Sequence, residues 1–254
     1  MNAMPPQPPD AEVTERALRE DLAAAYRLIA RFGMDDLIFT HLSARLPGPG
    51  EARFLINPYG MMFGEITASS LVVIDVEGNP VGDATWPVNP AGFVIHSAIH
   101  LGRDDAHCVM HTHTLAGMAV AATADGILPL NQMSMEFVGR VPVHEYEGVA
   151  ADDNLAERDR LVRDLGDAPG MLLRNHGLLT VGRTVADAFY HMYYLEMACR
   201  IQVAATSMNR PLSMPPPEVV ARTQAQFIVP VNKGWRPWAA LRRMLDRDDP
   251  SYRD

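Results

Sequence analysis

The regular pattern begins at Thr14. Leu18, Leu22, Ala25 and Ile29 recur at helical spacing as far as Phe32, and Gly33 stands where helices commonly stop. This predicts an amphipathic first helix. Short apolar runs follow: IFTHLSARL, RFLIN and LVVID read as three strands, the first two separated by PGPGEA and the third followed by the turn residues EGNP. FVIHSAIHLG predicts a helix, HCVMHTH a strand, and TLAGMAVAATA another helix. The stretch LPLNQMSMEFVGRVPVHEYEG mixes turn signals with short strands and carries no single period. DDNLAERDRLVRDLG predicts an exposed helix, GMLLRNHGLLTVG two short strands around a turn, and TVADAFYHMYYLEMACRIQVAATS a long helix. Helices interleaved with strands that short turns connect point to the α/β class, with a mixed or antiparallel sheet covered by helices. The end of the chain is proline-rich around MPPPE and loosely patterned around Trp235 and Trp238; it is expected to pack over the body or a neighbour.

Length and charge narrow the picture. The 254 residues are enough for one large domain, expected over 14–254, with a mobile arm at 1–13 and a C-terminal extension from about residue 210. The arm, MNAMPPQPPDAEVTE at its start, has no basic segment followed by an apolar one, and no apolar run along the chain is long enough to span a bilayer. Cys108 and Cys199 lie in unrelated contexts, so no disulfide is expected, and a reducing cytoplasm suits the chain. A net charge of −9 without a basic patch argues against a nucleic-acid partner and favours small substrates or proteins.

The histidines carry the candidate chemistry. His111 and His113 are two apart at the end of a strand, so they project from one face, well placed to hold a single metal ion; the plain alternative is a hydrogen-bonded polar pair where the strand leaves the core. His176 sits in the Asn-His-Gly turn of LLRNHGLLTVG. Three nitrogens with a fourth position open are the usual arrangement of catalytic zinc, and manganese or cobalt would fit the same imidazoles. A cupin site would need an acid soon after the pair, and Leu115 to Val120 contain none. His96 and His100, four apart on a helix, are expected to pack against a strand or face solvent. His107 has the parity of His111 but lies about 13 Å along an extended strand, and Cys108 has the opposite parity. His191 lies mid-helix among tyrosines, where packing is the expected role, and His144 and His41 stay open.

Through these and neighbouring motifs, the chain from about Thr14 to Thr206 resembles the class II aldolase/adducin family. The likeness lies in the THLSAR strand, the NPYG turn at Asn57 to Gly60, ITASSLVVID, the His-x-His pair and the Asn-His-Gly turn. It implies a three-layer αβα fold around a mostly antiparallel sheet, and a ring-shaped homotetramer with metal sites near subunit interfaces. In the family's sugar-phosphate aldolases, a zinc ion held by the histidines matching His111, His113 and His176 polarises the substrate carbonyl and stabilises an enediolate.

The departures matter as much. Gly92 stands where the family's aldolases carry an acidic residue that serves as acid/base. Pro90 and Ala91 replace phosphate-holding serines, and His41 replaces an asparagine of the phosphate loop. The tyrosine that donates a proton in some members has no counterpart near Gln132 and Met133. Two readings follow. One is a metal-dependent lyase, aldolase-like or decarboxylating, that acts on a small oxo- or hydroxyacid through a metal-stabilised enolate. The other is an adducin-like, non-catalytic binding module that keeps a structural metal; adducins lack a complete ligand set, whereas all three histidines persist here. On the first reading Glu136, Tyr146 or His41 supplies the missing acid/base group. His41, Tyr59, Gly60, Gly92 and Arg174 surround the substrate, glycine at 92 leaving room for a carboxylate and Arg174 pairing with it.

Overall fold

The computed structural model describes residues 13–82, 86–148, 155–228 and 233–254. The expected N-terminal arm therefore lies, but for Val13, outside the described residues. α1 spans Glu15–Arg31, and the Thr14 side chain caps it by accepting the Ala17 N–H at 3.2 Å, with Glu15 in the first turn and Arg31 in the last. Its buried stripe includes Leu22, Ala25, Tyr26 and Ile29.

Seven strands form one sheet: β1 (His41–Arg45), β2 (Phe54–Ile56), β3 (Val72–Ile74), β4 (Cys108–Thr112), β5 (Val143–His144), β6 (Gly170–Leu173) and β7 (Gly177–Gly182). Their order is β3-β2-β1-β4-β7-β6-β5, and all neighbours are antiparallel except β5 and β6. The expected mixed, mostly antiparallel sheet is what the chain forms. α2 (Pro90–Gly102) and α4 (Leu155–Leu165) cover one face; α1, α3 (Leu115–Ala121) and α5 (Val185–Ser207) cover the other.

Strand parity divides the core. On β4, Val109 packs with Ile99, Leu161, Leu179 and Val181 beneath α2 and α4, whereas Cys108 and Met110 pack with Leu22, Leu178, Met192 and Leu195 beneath α1 and α5. His111 shares the face of Val109. Across the sheet Tyr26 ties α1 to two strands: its hydroxyl accepts the N–H of Leu42 at 2.8 Å and of Asn57 at 3.1 Å, and lies 2.5 Å from the Leu42 carbonyl.

Two regions differ from the sequence expectation. The uncertain stretch after α3 holds only a 3₁₀ turn at Ser134–Glu136 and the two-residue β5, both too short to show a period. The loosely patterned tail forms α6 (Pro217–Ile228), α7 (Trp235–Asp248) and a 3₁₀ turn at Pro250–Arg253. It packs over its own body: Trp238 is buried, donates from its indole N–H to Asp21 at 3.0 Å, and lies 5.6 Å from the Phe189 ring. Both cysteines are free and buried, and no helix among the described residues is long and apolar enough to cross a membrane.

Candidate metal centre

His111 is fixed by the sheet, and His113 by the bend that follows it. β4 ends at Thr112, and Thr114 caps α3 by accepting the Gly117 N–H at 3.2 Å, so His113 sits on the short link between strand and helix. His111 donates from Nδ1 to the Leu178 carbonyl at 2.9 Å. His113 donates from Nδ1 to Asp36 Oδ2 at 3.0 Å. Each ring therefore carries a hydrogen on Nδ1, which leaves Nε2 as the atom through which it can hold a metal. The two Nε2 atoms lie 2.9 Å apart.

The β6–β7 turn supplies the third ring. Asn175 adopts a left-handed φ of 54°, and Gly177 comes so close to β4 that a Cβ there would stand 2.3 Å from the Thr112 carbonyl oxygen. The His176 ring is thereby brought 4.6 Å from that of His111 and 4.8 Å from that of His113, centroid to centroid. One nitrogen from each histidine lies within 4.8 Å of the others.

This donor set fits a divalent metal. Two lone pairs facing each other at 2.9 Å repel unless a cation or a proton lies between or beside them. Burial disfavours the proton: desolvation, followed by the neighbouring His176 and His113 rings, holds His111 well below the ordinary imidazole range. Desolvation and then His113 push His176 down to about 4. Neutral imidazoles with the second nitrogen clamped are the form a metal requires. Asp36 is a member that sequence reasoning missed. It is the second of two adjacent aspartates in an irregular loop, and nothing in its spacing relates it to His113, 77 positions away.

The same loop is braced from α5. Arg200 donates to the Phe32 and Gly33 carbonyls at 3.3 and 3.4 Å and to Glu196 at 2.6 Å, and Glu196 accepts the Thr114 hydroxyl. One buried carboxylate thus connects the start of the Asp36 loop to the residue after His113.

Gly92 changes the expectation most. A Cβ built there would meet the His41 ring at 2.8 Å, so His41 fills the ground beside Gly92 and glycine leaves no room for a substrate carboxylate. His41 pairs with His111 across β1 and β4, its ring 5.4 Å away, and neither of its nitrogens has a hydrogen-bond partner. Desolvation, then the His113 and His176 rings, push it down to about 3, so it is neutral near pH 7. Behind it His96 lies 4.4 Å away, and His96 and His100 both meet the Ser43 hydroxyl, at 2.6 and 2.7 Å. The helical pair packs against a strand, as the spacing suggested.

The remaining expected site residues divide. Tyr146, 50% exposed, and Arg174 line the cleft that also exposes His176. The guanidinium of Arg174, expected to pair with a substrate carboxylate, is engaged within the protein: it donates to the Ala121 carbonyl at 3.2 Å, to the Thr123 carbonyl, and to Glu145 at 3.4 Å. Glu136 is 1% exposed and bound to Lys233 at 2.5 Å and the Tyr190 hydroxyl at 3.2 Å. It is a buried ion-pair member, and no contact joins it to the triad. Tyr59 stands 6.4 Å from Phe39, in the loop that carries Asp36, and Gly60, at a φ of 118°, lies under Trp86. His191 donates to the Val181 carbonyl and packs.

The family model for the class II aldolase and adducin N-terminal domain matches residues 20–203. The chain belongs to the class II aldolase/adducin family. An aldolase II superfamily protein from Pseudomonas syringae superposes with a TM-score of 0.89 at 50% identity, covering 96% of this chain and 98% of that one. An L-fuculose 1-phosphate aldolase from Glaciozyma antarctica PI12 superposes with a TM-score of 0.83 at 27% identity, covering 98% and 97%. Alpha-adducin of Rattus norvegicus is 43% identical over 192 residues, which are 74% of this chain and 26% of the adducin. The match thus spans nearly the whole of that aldolase and about a quarter of alpha-adducin.

Proposed function

We propose that this class II aldolase/adducin family chain is a metal-dependent lyase acting on small oxo- or hydroxyacids, by retro-aldol cleavage or decarboxylation. The observation that carries the reading is the convergence of the two Nε2 atoms, 2.9 Å apart, with each ring oriented by an acceptor on Nδ1 and His176 beside them. When bound, a divalent ion such as zinc, or manganese or cobalt, supplies a Lewis acid for the substrate oxygens and stabilises the charge of an enolate. His111, His113 and His176 would hold it. The protein groups do the rest: Asp36 and the Leu178 carbonyl orient the ligands, and Tyr146 offers a phenol at the rim. The acid-substrate preference rests on electrostatics. The neutral His41 ring fills the place beside Gly92, so no carboxylate there repels an anionic substrate.

A panel of 2-oxo and 2-hydroxy acids and of sugar phosphates, assayed with metal-loaded and chelated protein, tests the reading. Turnover of acids that chelation abolishes is expected. Robust cleavage of fuculose or ribulose phosphates, or turnover indifferent to chelation, contradicts it. The 43% identity to alpha-adducin favours a second reading, a binding module with a structural metal. That module would bind the ion and turn over nothing in the panel. On either reading the chain works as a homo-oligomer, with a tetramer expected; the tyrosines 190, 193 and 194 along α5, only partly covered, favour a contact there. Light scattering should return a multiple of 28.0 kDa.

A further inference from the structure

At the end of the sheet away from the triad, a second cleft has room for a ligand. β7 runs from Gly177, beside His111 and His113, to Gly182, roughly 17 Å on as an extended strand rises. A cleft of about 220 Å³ opens there, between the loops that precede β4 and β6 and the first turns of α5. A single water needs only roughly 10–15 Å³ of cavity, so a small organic molecule fits. Most charges of its lining are already engaged. Arg103 bonds both oxygens of Asp105, at 3.0 and 2.8 Å, and the carbonyls of Gly166 and Ala168. Asp187 accepts the Thr184 hydroxyl at 2.9 Å and the Gly234 N–H at 3.0 Å, and Lys233 is bound to Glu136. Two guanidiniums are left. Arg183 is exposed and makes no hydrogen bond or ion pair with a described residue, and the half-buried Arg140 donates once, to the Glu136 carbonyl at 3.3 Å. Against them stands one carboxylate without a partner among the described residues, the exposed Asp167. The cleft therefore keeps an excess positive charge in a chain of net charge −9.

Guanidinium forks match the oxygens of a carboxylate or a phosphate. The wall they share also carries His191, whose Nδ1 donates to the Val181 carbonyl at 2.8 Å. Burial above all holds this ring below the ordinary imidazole range, so at neutral pH its Nε2 is an acceptor. A bare anion gains nothing from that nitrogen, whereas a ligand with a hydroxyl does. We propose that this cleft binds a small hydroxylated oxyanion, a phosphate monoester or a hydroxycarboxylate, its charge held by Arg140 and Arg183 and its hydroxyl donating to His191 Nε2. The site is separate from the metal centre and stands whether or not the chain is a lyase.

The test titrates the full-length zinc-loaded protein, carrying ¹³Cε1-labelled histidine, with glycerol 3-phosphate and separately with glycerate at fixed ionic strength. The His191 resonance alone reports the cleft, since glycerate also reaches the zinc on the lyase reading. A saturable shift of His191 is expected, and the ligand that produces it at the lower concentration identifies the oxyanion as phosphate or carboxylate. Arg140→Gln and Arg183→Gln should each weaken that binding at least ~10-fold. Arg183 is exposed and unbonded, so its loss leaves the fold intact. Asp167→Asn removes the competing carboxylate and should tighten binding about 1.5- to 5-fold, a gain that a merely structural role does not give. His191 indifferent to both ligands, or shifts with unchanged midpoints in both arginine variants, would overturn the site.

Discussion

Asp36 orients His113 through Nδ1, as the Leu178 carbonyl orients His111, and of the two acceptors it is the side chain that can be removed by substitution. Removing such a hydrogen-bond partner typically lowers metal affinity roughly 10–100-fold. Asp36→Ala should therefore weaken zinc binding by that factor in a chelator competition, with the fold unchanged by circular dichroism; wild-type affinity would show that the Nδ1 contact is dispensable. The Gly92 site gives a second residue-scale test. Adding a Cβ 2.8 Å from the His41 ring overpacks a buried site, so Gly92→Ala should destabilise by about 1–3 kcal/mol. In a His41→Ala background the cost should largely vanish, and full additivity in the double-mutant cycle would contradict the contact. The three candidate ligand histidines were legible because strand parity and an Asn-His-Gly turn each leave a mark in sequence. Asp36 left none. The consequence of Gly92 is not legible locally, because His41 reaches it through the β1–β4 register, which pairs residues 70 positions apart and has no local signature.

At the scale of elements, the site depends on how helices are fastened to the sheet. Tyr26 is the clearest case: its buried hydroxyl serves backbone groups of β1 and of the residue after β2. Tyr26→Phe leaves two buried N–H groups without acceptors, each worth about 1–3 kcal/mol. A loss of at least ~2 kcal/mol in urea unfolding is expected, and a change below 0.5 kcal/mol, on the order of an ordinary surface substitution, would contradict the assignment. Long periodic segments such as α1 and α5 were readable from spacing alone. α7 was not, because only Trp238 and Leu245 are fully buried, with Leu241 and Met244 partly covered beside them, and its place is set by ion pairs from Arg242 to Glu20 and Asp21 on α1. Those partners lie more than 200 positions away, beyond any local pattern.

For the whole molecule, the histidine-rich layer under α2 makes stability acid-sensitive. Desolvation above all pushes His41 and His100 down to about 3 and holds His96 well below its ordinary range. In the unfolded chain each titrates near 6.5. Folding therefore keeps them neutral while the unfolded state takes up protons below that pH, so their contribution is complete above about 6.5 and is lost as pH falls toward 3. The slope is about 1.4 kcal/mol per pH unit for one such histidine and about 4 for three. Urea midpoints of metal-free protein should fall steeply from pH 7 to pH 5; a flat profile would mean that these rings titrate normally in the fold. The central claim, that His111, His113 and His176 together hold one divalent ion, is tested most directly by elemental analysis of the wild type and His176→Ala purified side by side. The account predicts close to one ion per chain in the wild type and nearly none in the variant; equal metal content in the two would contradict it.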